Sequence, residues 1–311
     1  MKLYKSFVMM LHDVTDPGWL EKILLHLGKY YQFVRSEEIE SFYENPYKRN
    51  ICHLTADDGN ISFYENVFPV LKKHKIPASL YVSPKVIDTG ELFWFQKVNQ
   101  MDNKNLSQIF VERFNLNHED IKKFNPKEIF KLLPYSEIVS ITRYYEENWP
   151  LNSKRQSITE KQLQEMVDSG WVEPGAHTLN HPILANENNH VAEHEISQSI
   201  SDLGNMLNTR IQLFAYPNGT PGKDFGKREI DILKKNRIEL AFSTRVDHLS
   251  DKDTPYDMPR IGLTYGSMNF VRNKIILGKK WSILKNIKRK LTGNHRDLLY
   301  KKLYNQLNPS S

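Results

Sequence analysis

The sequence of 311 residues has only one cysteine, Cys52, and no apolar run long enough to cross a membrane. A single cysteine cannot form an intramolecular disulfide, which excludes a disulfide-stabilised secreted scaffold. A membrane-spanning helix needs about 20 consecutive apolar residues. The apolar run near the start, Phe7–Leu11, is far shorter and is also too short for a secretory signal. These absences together predict a cytoplasmic protein.

The first 271 residues have no excess of positive charge. From Arg272 onward the chain has eleven Lys and Arg against one acidic residue, a net charge of +10, whereas the preceding part has 32 basic and 36 acidic residues, a net charge of −4. Recognition of nucleic acid phosphates normally spreads basic residues over the face of the folded domain. The charge distribution therefore predicts no nucleic acid partner.

The basic segment 272–311 has the pattern of an amphipathic helix. Trp281, Leu284, Ile287 and Leu291 recur at near-helical spacing among Lys and Arg residues. A basic amphipathic helix can lie on an anionic membrane surface. We therefore predict a basic helical tail in peripheral contact with the inner face of a membrane; the alternative is a terminal helix packed on the preceding domain.

Short β-rich runs alternate with helical patterns along residues 1–271, and some seven strands can be counted. Such βα repetition is typical of a parallel sheet or barrel, and one domain can accommodate this length. Residues 91–157 interrupt the pattern with helical patches and no clear strand. They predict an insertion, which is either a lid or specificity element near the site or a helical subdomain without a functional role.

Two adjacent carboxylates, Asp57 and Asp58, follow an apolar run and precede Gly59. Side chains alternate along a strand, so only a turn, with Gly59 allowing unusual dihedrals, can direct both carboxylates to one site. Like charges this close tend to persist where a cation compensates them. The pair indicates a cation site, although Asp-Asp-Gly is also a common turn sequence.

Two histidines four residues apart, His177 and His181, directly follow another apolar strand. On a helical turn they would point the same way, and two imidazoles could then bind one metal ion. One carboxylate and two histidines form a ligand set suited to zinc or another divalent metal. A second pair, His190 and His194, falls opposite the apolar stripe of its helix and is predicted to be solvated.

Three motifs in combination resemble those of the polysaccharide deacetylases, carbohydrate esterase family 4: TADDG at 55–59, HTLNH at 177–181 and FAYPNG at 214–219. The resemblance covers roughly residues 7–89 and 159–263, and it implies a distorted (β/α)7 barrel. It implies that Asp57 is the catalytic base and that Asp58, His177 and His181 are metal ligands. It also implies that the third motif, through Tyr216, Pro217 and Asn218, contacts the substrate and its oxyanion.

Two departures from the family pattern leave roles to fill. In many members an arginine in the third motif holds the catalytic Asp, but Ala215 stands at that position here. Arg260, at the start of a late strand, is the candidate replacement, and a surface ion pair is the alternative. The late histidine that serves as general acid is not evident either. His12 resembles the acid histidine of motif-permuted poly-N-acetylglucosamine deacetylases, with His248 in reserve.

The resemblance implies metal-dependent N-deacetylation of an N-acetylated amino sugar in a surface glycan or its precursor. Zn²⁺ is the expected cofactor, with Co²⁺, Ni²⁺ or Mn²⁺ as alternatives. Two other functions stay open: an amide hydrolase acting on a non-sugar small molecule, and a catalytically idle glycan-binding scaffold. Aromatic residues able to stack on a sugar, such as Trp94, Phe95 and Trp149, argue against the first. The intact Asp-Asp and His-x-x-x-His set argues against the second.

Overall fold

The computed structural model describes residues 5–39, 50–117, 121, 125–281, 303, 304 and 307. Within them, one sheet contains eight strands in the order β7-β6-β5-β4-β3-β1-β8, with β2 beside β3. The strands are β1 Phe7–Leu11, β2 Gln32–Phe33, β3 Ile51–Ala56, β4 Ala78–Val82, β5 Val172–Ala176, β6 Leu213–Ala215, β7 Leu240–Phe242 and β8 Ile261–Gly262.

The strand pairs are parallel, and the seven strands of the main path curve into a distorted (β/α)7 barrel, as predicted. The two ends of the sheet approach each other where the segment just before β8 bonds to β7. There, the Ser243 N–H donates to the Met258 carbonyl at 3.0 Å, and the Met258 N–H donates to Ala241 at 2.9 Å. Strand β2 was not predicted, because two residues are too few to produce a period.

Helices follow most of the strands, as the alternation of β-rich and helical patterns predicts. The helices of the barrel are α1 Pro17–Leu27, α2 Phe68–His74 with a π-helical segment Phe63–Val67 before it, α3 Pro84–Thr89, α7 Glu160–Asp168, α8 Asn189–Leu207, α9 Lys227–Lys235 and α10 Met268–Leu277; a 3₁₀ turn lies at Leu184–Asn186. The insertion contains α4 Trp94–Gln100, α5 Asn103–Phe114, a 3₁₀ helix Pro126–Leu132 and α6 Tyr135–Asn148.

Strand β3 shows why the catalytic candidates end up inside the barrel. Leu54 and Ala56 pack in the core between strands and helices, whereas the His53 ring stacks on Phe242, whose side chain belongs to the apolar cluster inside the barrel. Because side chains alternate along a strand, Asp57 continues the inward phase of His53. The period of the strand therefore directs Asp57 into the barrel mouth.

The insertion has an apolar core of its own. Its described residues within 91–157 contain helices and no extended strand, and their buried side chains form a cluster separate from the barrel core. Leu303, from the C-terminal part of the chain, is buried in the same cluster. The insertion is thus a compact helical unit beside the barrel.

Helix α10 crosses the predicted boundary between residues 271 and 272. Its Val271 and Ile275 are buried in the barrel core, so the segment up to Leu277 belongs to the barrel. Trp281, assigned to the apolar stripe of the tail, meets Phe270 edge-to-face, with ring centroids 5.4 Å apart. Leu284, Ile287 and Leu291 lie outside the described residues. Among the residues that are described, no helix is long and apolar enough to span a membrane.

Candidate metal and catalytic site

The carboxyl ends of the strands meet around a cavity of about 400 Å³. In a parallel barrel all strands end at the same mouth, so residues that follow different strands converge there. Asp57 and Asp58 follow β3, His177 and His181 follow β5, and His12 follows β1; all five line this cavity. The other lining residues from the barrel are Tyr216, Asn218 and Thr244.

A left-handed turn directs the two carboxylates to the same cavity. Asp58 has φ 71° and Gly59 has φ 61°, so the backbone reverses directly after Asp57. A Cβ atom at Gly59 would lie 2.9 Å from Cγ1 of Val82, and the left-handed backbone further disfavours a side chain. The predicted role of Gly59 in this turn agrees with the structure.

The expectation that His177 and His181 lie on one helical turn was wrong. Residues 177–181 form an irregular loop in which Thr178 has φ 62° and His181 has φ 57°. Left-handed backbone is a genuine outlier for a β-branched residue such as Thr178. The imidazole centroids are nevertheless only 4.8 Å apart. The rings converge because the loop is held in this conformation.

Glu195 of α8 holds the loop 177–181 in place through hydrogen bonds. Its buried carboxylate accepts hydrogen bonds from the backbone N–H groups of Leu179 and Asn180, both at 3.0 Å, and from the Asn180 amide at 2.6 Å. Sequence reasoning missed this residue. Its position at the edge of the buried stripe of α8, next to Ile196, was the available signal.

The geometry of Asp58, His177 and His181 fits a metal ion. The Nδ1–H of His177 donates to the Ala215 carbonyl at 2.7 Å, which directs Nε2 toward Asp58. Nε2 of each histidine lies 3.6 Å from Oδ1 of Asp58, and this oxygen is buried with no hydrogen-bond partner in the described part of the chain. Two ligands of one tetrahedral zinc ion lie about 3.4 Å apart. Among the described residues, this is the one group of three or more candidate ligands.

The charges of the cluster largely suit metal binding. Burial raises the pKa of Asp58, but the imidazoles of His177 and His181 outweigh it and hold that pKa at about 2. Burial, together with the charge of His177, lowers the pKa of His181 to about 4. Burial also lowers the pKa of His177, but the carboxylates of Asp58 and Asp57 outweigh it and raise the pKa overall. Metal binding would displace the proton that this environment favours on His177.

Asp57 is held by Arg260 and not by a surface ion pair. The guanidinium, with no exposed surface, donates to both carboxylate oxygens at 2.6 and 2.8 Å, and its Nε–H donates to the Ser243 carbonyl at 2.9 Å. Burial raises the pKa of Asp57, but the positive charge of Arg260 outweighs it and keeps the pKa below its ordinary value. Arg260 thus makes the contact to Asp57 that the arginine of the third motif makes in many family members. Ala215, which stands at that position here, has no side chain that could make it.

The two candidates for general acid lie at opposite ends of the barrel. His12 is exposed at the end of β1 and lines the cavity with Asp57. His248 donates from Nε2 to the Ile275 carbonyl at 2.7 Å, and its neighbour Leu249 bonds to Ser6, which precedes β1. His248 is therefore at the amino end of the sheet, remote from the cavity, and the structure does not support it as the acid.

Of the backbone N–H groups from Tyr216 to Gly219 in the third motif, one could donate to a substrate. The Tyr216 N–H donates to Phe242 at 3.1 Å and the Gly219 N–H to the Pro217 carbonyl at 2.6 Å, while Pro217 has no N–H. Within the described part of the chain, Asn218 is thus the position of this motif whose N–H is open to a substrate. The side chain of Tyr216 turns away, stacking on Phe225 with ring centroids 3.6 Å apart.

His190 and His194 are both exposed on α8. The described residues provide no third ligand beside them, since the cluster of Asp58, His177 and His181 is the one such group there. This agrees with the prediction that they are solvated. Trp149 is also partly exposed and does not line the cavity, whereas Trp94 and Phe95 do.

The fold and the site together define a barrel protein with a candidate hydrolytic metal centre at its carboxyl mouth. The family model described as polysaccharide deacetylase matches residues 44–241. The chain therefore belongs to the polysaccharide deacetylase family, whose members are deacetylases of N-acetylated carbohydrates.

Solved structures share the fold. The deacetylase PplD of Streptococcus pyogenes, in complex with acetate, is 19% identical with a TM-score of 0.59, covering 87% of this chain and 98% of that one. IcaB from Ammonifex degensii is 18% identical with a TM-score of 0.59, covering 88% and 98%. A de-N-acetylase from Aggregatibacter actinomycetemcomitans is 16% identical with a TM-score of 0.55, covering 86% and 99%. No curated protein sequence matches the chain.

Proposed function

We propose that the protein is a metal-dependent N-deacetylase that removes the acetyl group from an N-acetylated amino sugar in a precursor of a surface glycan. The observation that carries the proposal is one cavity that contains the Asp58–His177–His181 cluster next to the Arg260-held carboxylate of Asp57. Membership of the polysaccharide deacetylase family supports the reaction type.

The reaction assigns a separate task to each side chain. A divalent ion, Zn²⁺ above all, held by Asp58, His177 and His181 would acidify a bound water and polarise the acetamide carbonyl. Asp57, kept ionised by Arg260, accepts the proton of the attacking water. The Asn218 N–H donates to the oxygen that gains negative charge. His12 protonates the departing amine, and acetate is released.

The wall contributed by the insertion favours a charged precursor over a long neutral polymer. Besides Trp94 and Phe95, it places Lys127 and Lys131 in the cavity. Glu128 also lines the cavity and pairs with Lys131. Within the described residues, the Lys127 ammonium donates to the Asn99 carbonyl at 2.8 Å and has no carboxylate within 4.0 Å. Its ammonium has two further N–H groups for an anion. A nucleotide-linked or lipid-linked sugar carries a phosphate that would occupy this position.

The location of the substrate completes the proposal. We infer a cytoplasmic protein that touches an anionic inner membrane surface through basic side chains of the segment 272–311, whose Ile275 and Leu303 pack on the protein itself. The net charge of +10 from Arg272 onward supports this inference. Most of the segment lies outside the described residues, and the support comes from its charge and spacing.

Acetate release tests the proposed activity. The zinc-loaded protein should release acetate from N-acetylhexosamine linked to a nucleotide or lipid diphosphate, and chelation followed by dialysis should reduce release to background. Zinc should restore it. Metal binding without release from any acetylated sugar would contradict the proposal. Release from acetylated small-molecule amides alone would favour the non-sugar amide hydrolase, and no release from either class would favour the idle glycan-binding scaffold.

Replacing Lys127 by glutamine tests the anionic substrate. A hydrogen bond to a charged group is worth about 1.5 to 3 kcal/mol, so Lys127→Gln should raise KM for the phosphate-linked sugar roughly tenfold or more. The KM for a neutral N-acetylglucosamine oligomer should not change. Lys154→Gln is the matched control, since Lys154 is exposed in the same insertion and does not line the cavity. Equal KM changes for both substrates would refute a phosphate contact at Lys127.

A further inference from the structure

We propose that the insertion is a working part of the metal centre, and that Trp94 is the positioning residue that holds the ligand His181. The inference rests on the proposed metal site and goes beyond it, because it assigns a function to a segment that contains none of the three motifs of the site. Its test measures metal affinity, so it does not depend on finding the substrate.

A hydrogen bond links the insertion directly to the metal ligand. The indole Nε1–H of Trp94, the first residue of α4, donates to the backbone carbonyl of His181 at 2.8 Å. Trp94 is 6% exposed, so this bond is shielded from water. A shielded bond between segments 87 residues apart ties the position of His181 to the fold of the insertion.

The backbone of His181 needs such a restraint. His181 has φ 57°, a left-handed conformation that is unfavourable for a residue with a side chain. Its N–H donates to the Thr178 hydroxyl at 3.0 Å, and Trp94 binds its carbonyl, so both backbone polar groups of the residue are engaged. Loss of either bond would allow the backbone to relax toward an ordinary conformation, which would rotate the imidazole away from Asp58.

Aromatic packing takes the place of the usual hydrogen bond on the imidazole. A metal-bound histidine normally donates its other ring N–H to an acceptor, as His177 does to Ala215. The Nδ1 of His181 is buried and has no hydrogen-bond partner among the residues that the structure describes. Instead, Phe93 and Phe95 meet the ring edge-on, with centroids 5.6 and 4.9 Å away. The orientation of His181 therefore depends on the residues that begin α4.

The side chain of Trp94 is fixed by packing within the insertion. The Trp94 ring stacks on Phe130 of the 3₁₀ helix Pro126–Leu132, with centroids 6.4 Å apart and planes inclined by 22°. Both side chains belong to the apolar core of the insertion. The folded insertion is thus connected through one indole ring to a metal ligand at the barrel mouth.

Zinc affinity tests the inference. Trp94→Phe keeps an aromatic ring but removes the N–H donor. Competition with a chromophoric chelator should show a Kd for Zn²⁺ weakened about 10- to 100-fold, the range found when outer partners of metal ligands are removed. Trp149→Phe, at a partly exposed tryptophan of the same insertion, should leave the Kd unchanged. Thermal unfolding of each chelated variant shows whether the fold persists.

A second variant covers the case in which Trp94→Phe does not fold. Phe95→Leu removes a half-buried ring that packs against His181 and should also weaken the Kd for Zn²⁺. Folded variants of Trp94 and Phe95 that both bind zinc as tightly as the wild type would overturn the proposal. Weakened zinc binding in a folded variant would support it even if no substrate were deacetylated, which separates this result from the outcome of the acetate assay.

Discussion

Replacing Arg260 by methionine is expected to lower the free energy of unfolding by about 3 to 5 kcal/mol, the usual loss when one partner of a buried ion pair is removed. The guanidinium is fully buried and donates four hydrogen bonds, two of them to Asp57. Without it, the carboxylate is left buried in the barrel mouth and loses the counter-charge that is hydrogen-bonded to both of its oxygens. Deacetylation should be lost as well, because an Asp57 that takes up a proton cannot act as base.

The loss should depend on pH in a defined direction. The pKa of Asp57 lies below its ordinary value in the wild type, so the ion pair stabilises the fold above about pH 3.9, the pKa of an unfolded Asp. This stabilisation disappears as the pH falls through the folded pKa. In Arg260→Met, burial raises the pKa of Asp57, so that protein loses stability as the pH rises. The difference between the two proteins should widen from about pH 3 to pH 7.

Denaturant unfolding of the chelated proteins at several pH values measures the loss of stability and its dependence on pH. Arg113→Met removes one side of a half-exposed pair with Glu137 and is the matched control, with an expected loss of at most about 1 kcal/mol. Adding Asp57→Asn to Arg260→Met removes the buried charge and should recover much of the stability. An Arg260→Met protein as stable as the Arg113→Met control would show that the buried Arg260–Asp57 ion pair does not stabilise the fold.

The exchange of Asp57 for asparagine should lower the rate of catalysis strongly while the metal site stays intact. A positioned general base typically contributes about 10² to 10⁴ in rate, and Asp57→Asn should lower kcat for acetate release by that factor. The change preserves size and lets the amide oxygen accept one hydrogen bond from Arg260. Zinc affinity should stay close to that of the wild type, because Asp58, His177 and His181 remain. Acetate release and chelator competition on the same preparation measure both.

Two further variants separate the roles of the neighbouring side chains. Asp58→Asn should lose zinc affinity, since it removes the charge of the carboxylate ligand. His12→Gln should keep zinc affinity and lower kcat, with a smaller loss on substrates whose leaving amine is less basic. If Asp57→Asn lost zinc and Asp58→Asn kept it, the assignment of base and ligand would have to be exchanged.

The residues of the site could be found from the sequence because they follow strands. In a parallel barrel the end of every strand lies at the same mouth, so Asp57, Asp58, His177 and His181 share a cavity once β3 and β5 are located. Arg260 was a candidate for the same reason, although only the structure showed that it reaches Asp57. The conformation of the histidine loop was predicted wrongly, because Thr178 and His181 adopt backbone angles that local spacing does not encode.

By itself, the sequence determined the alternation of strands and helices, the position of the insertion and the candidate ligands, because period-two and helical patterns and strand-end motifs are local properties of the chain. The distorted barrel was implied by the resemblance of the motifs to those of the polysaccharide deacetylases. Only the tertiary structure decided which partners these residues meet. Arg260 lies 203 residues from Asp57, and Trp94 lies 87 residues from His181. Such contacts depend on how separate elements pack. The residues that flank Arg260 and Trp94 in the sequence do not indicate which distant residue either side chain contacts.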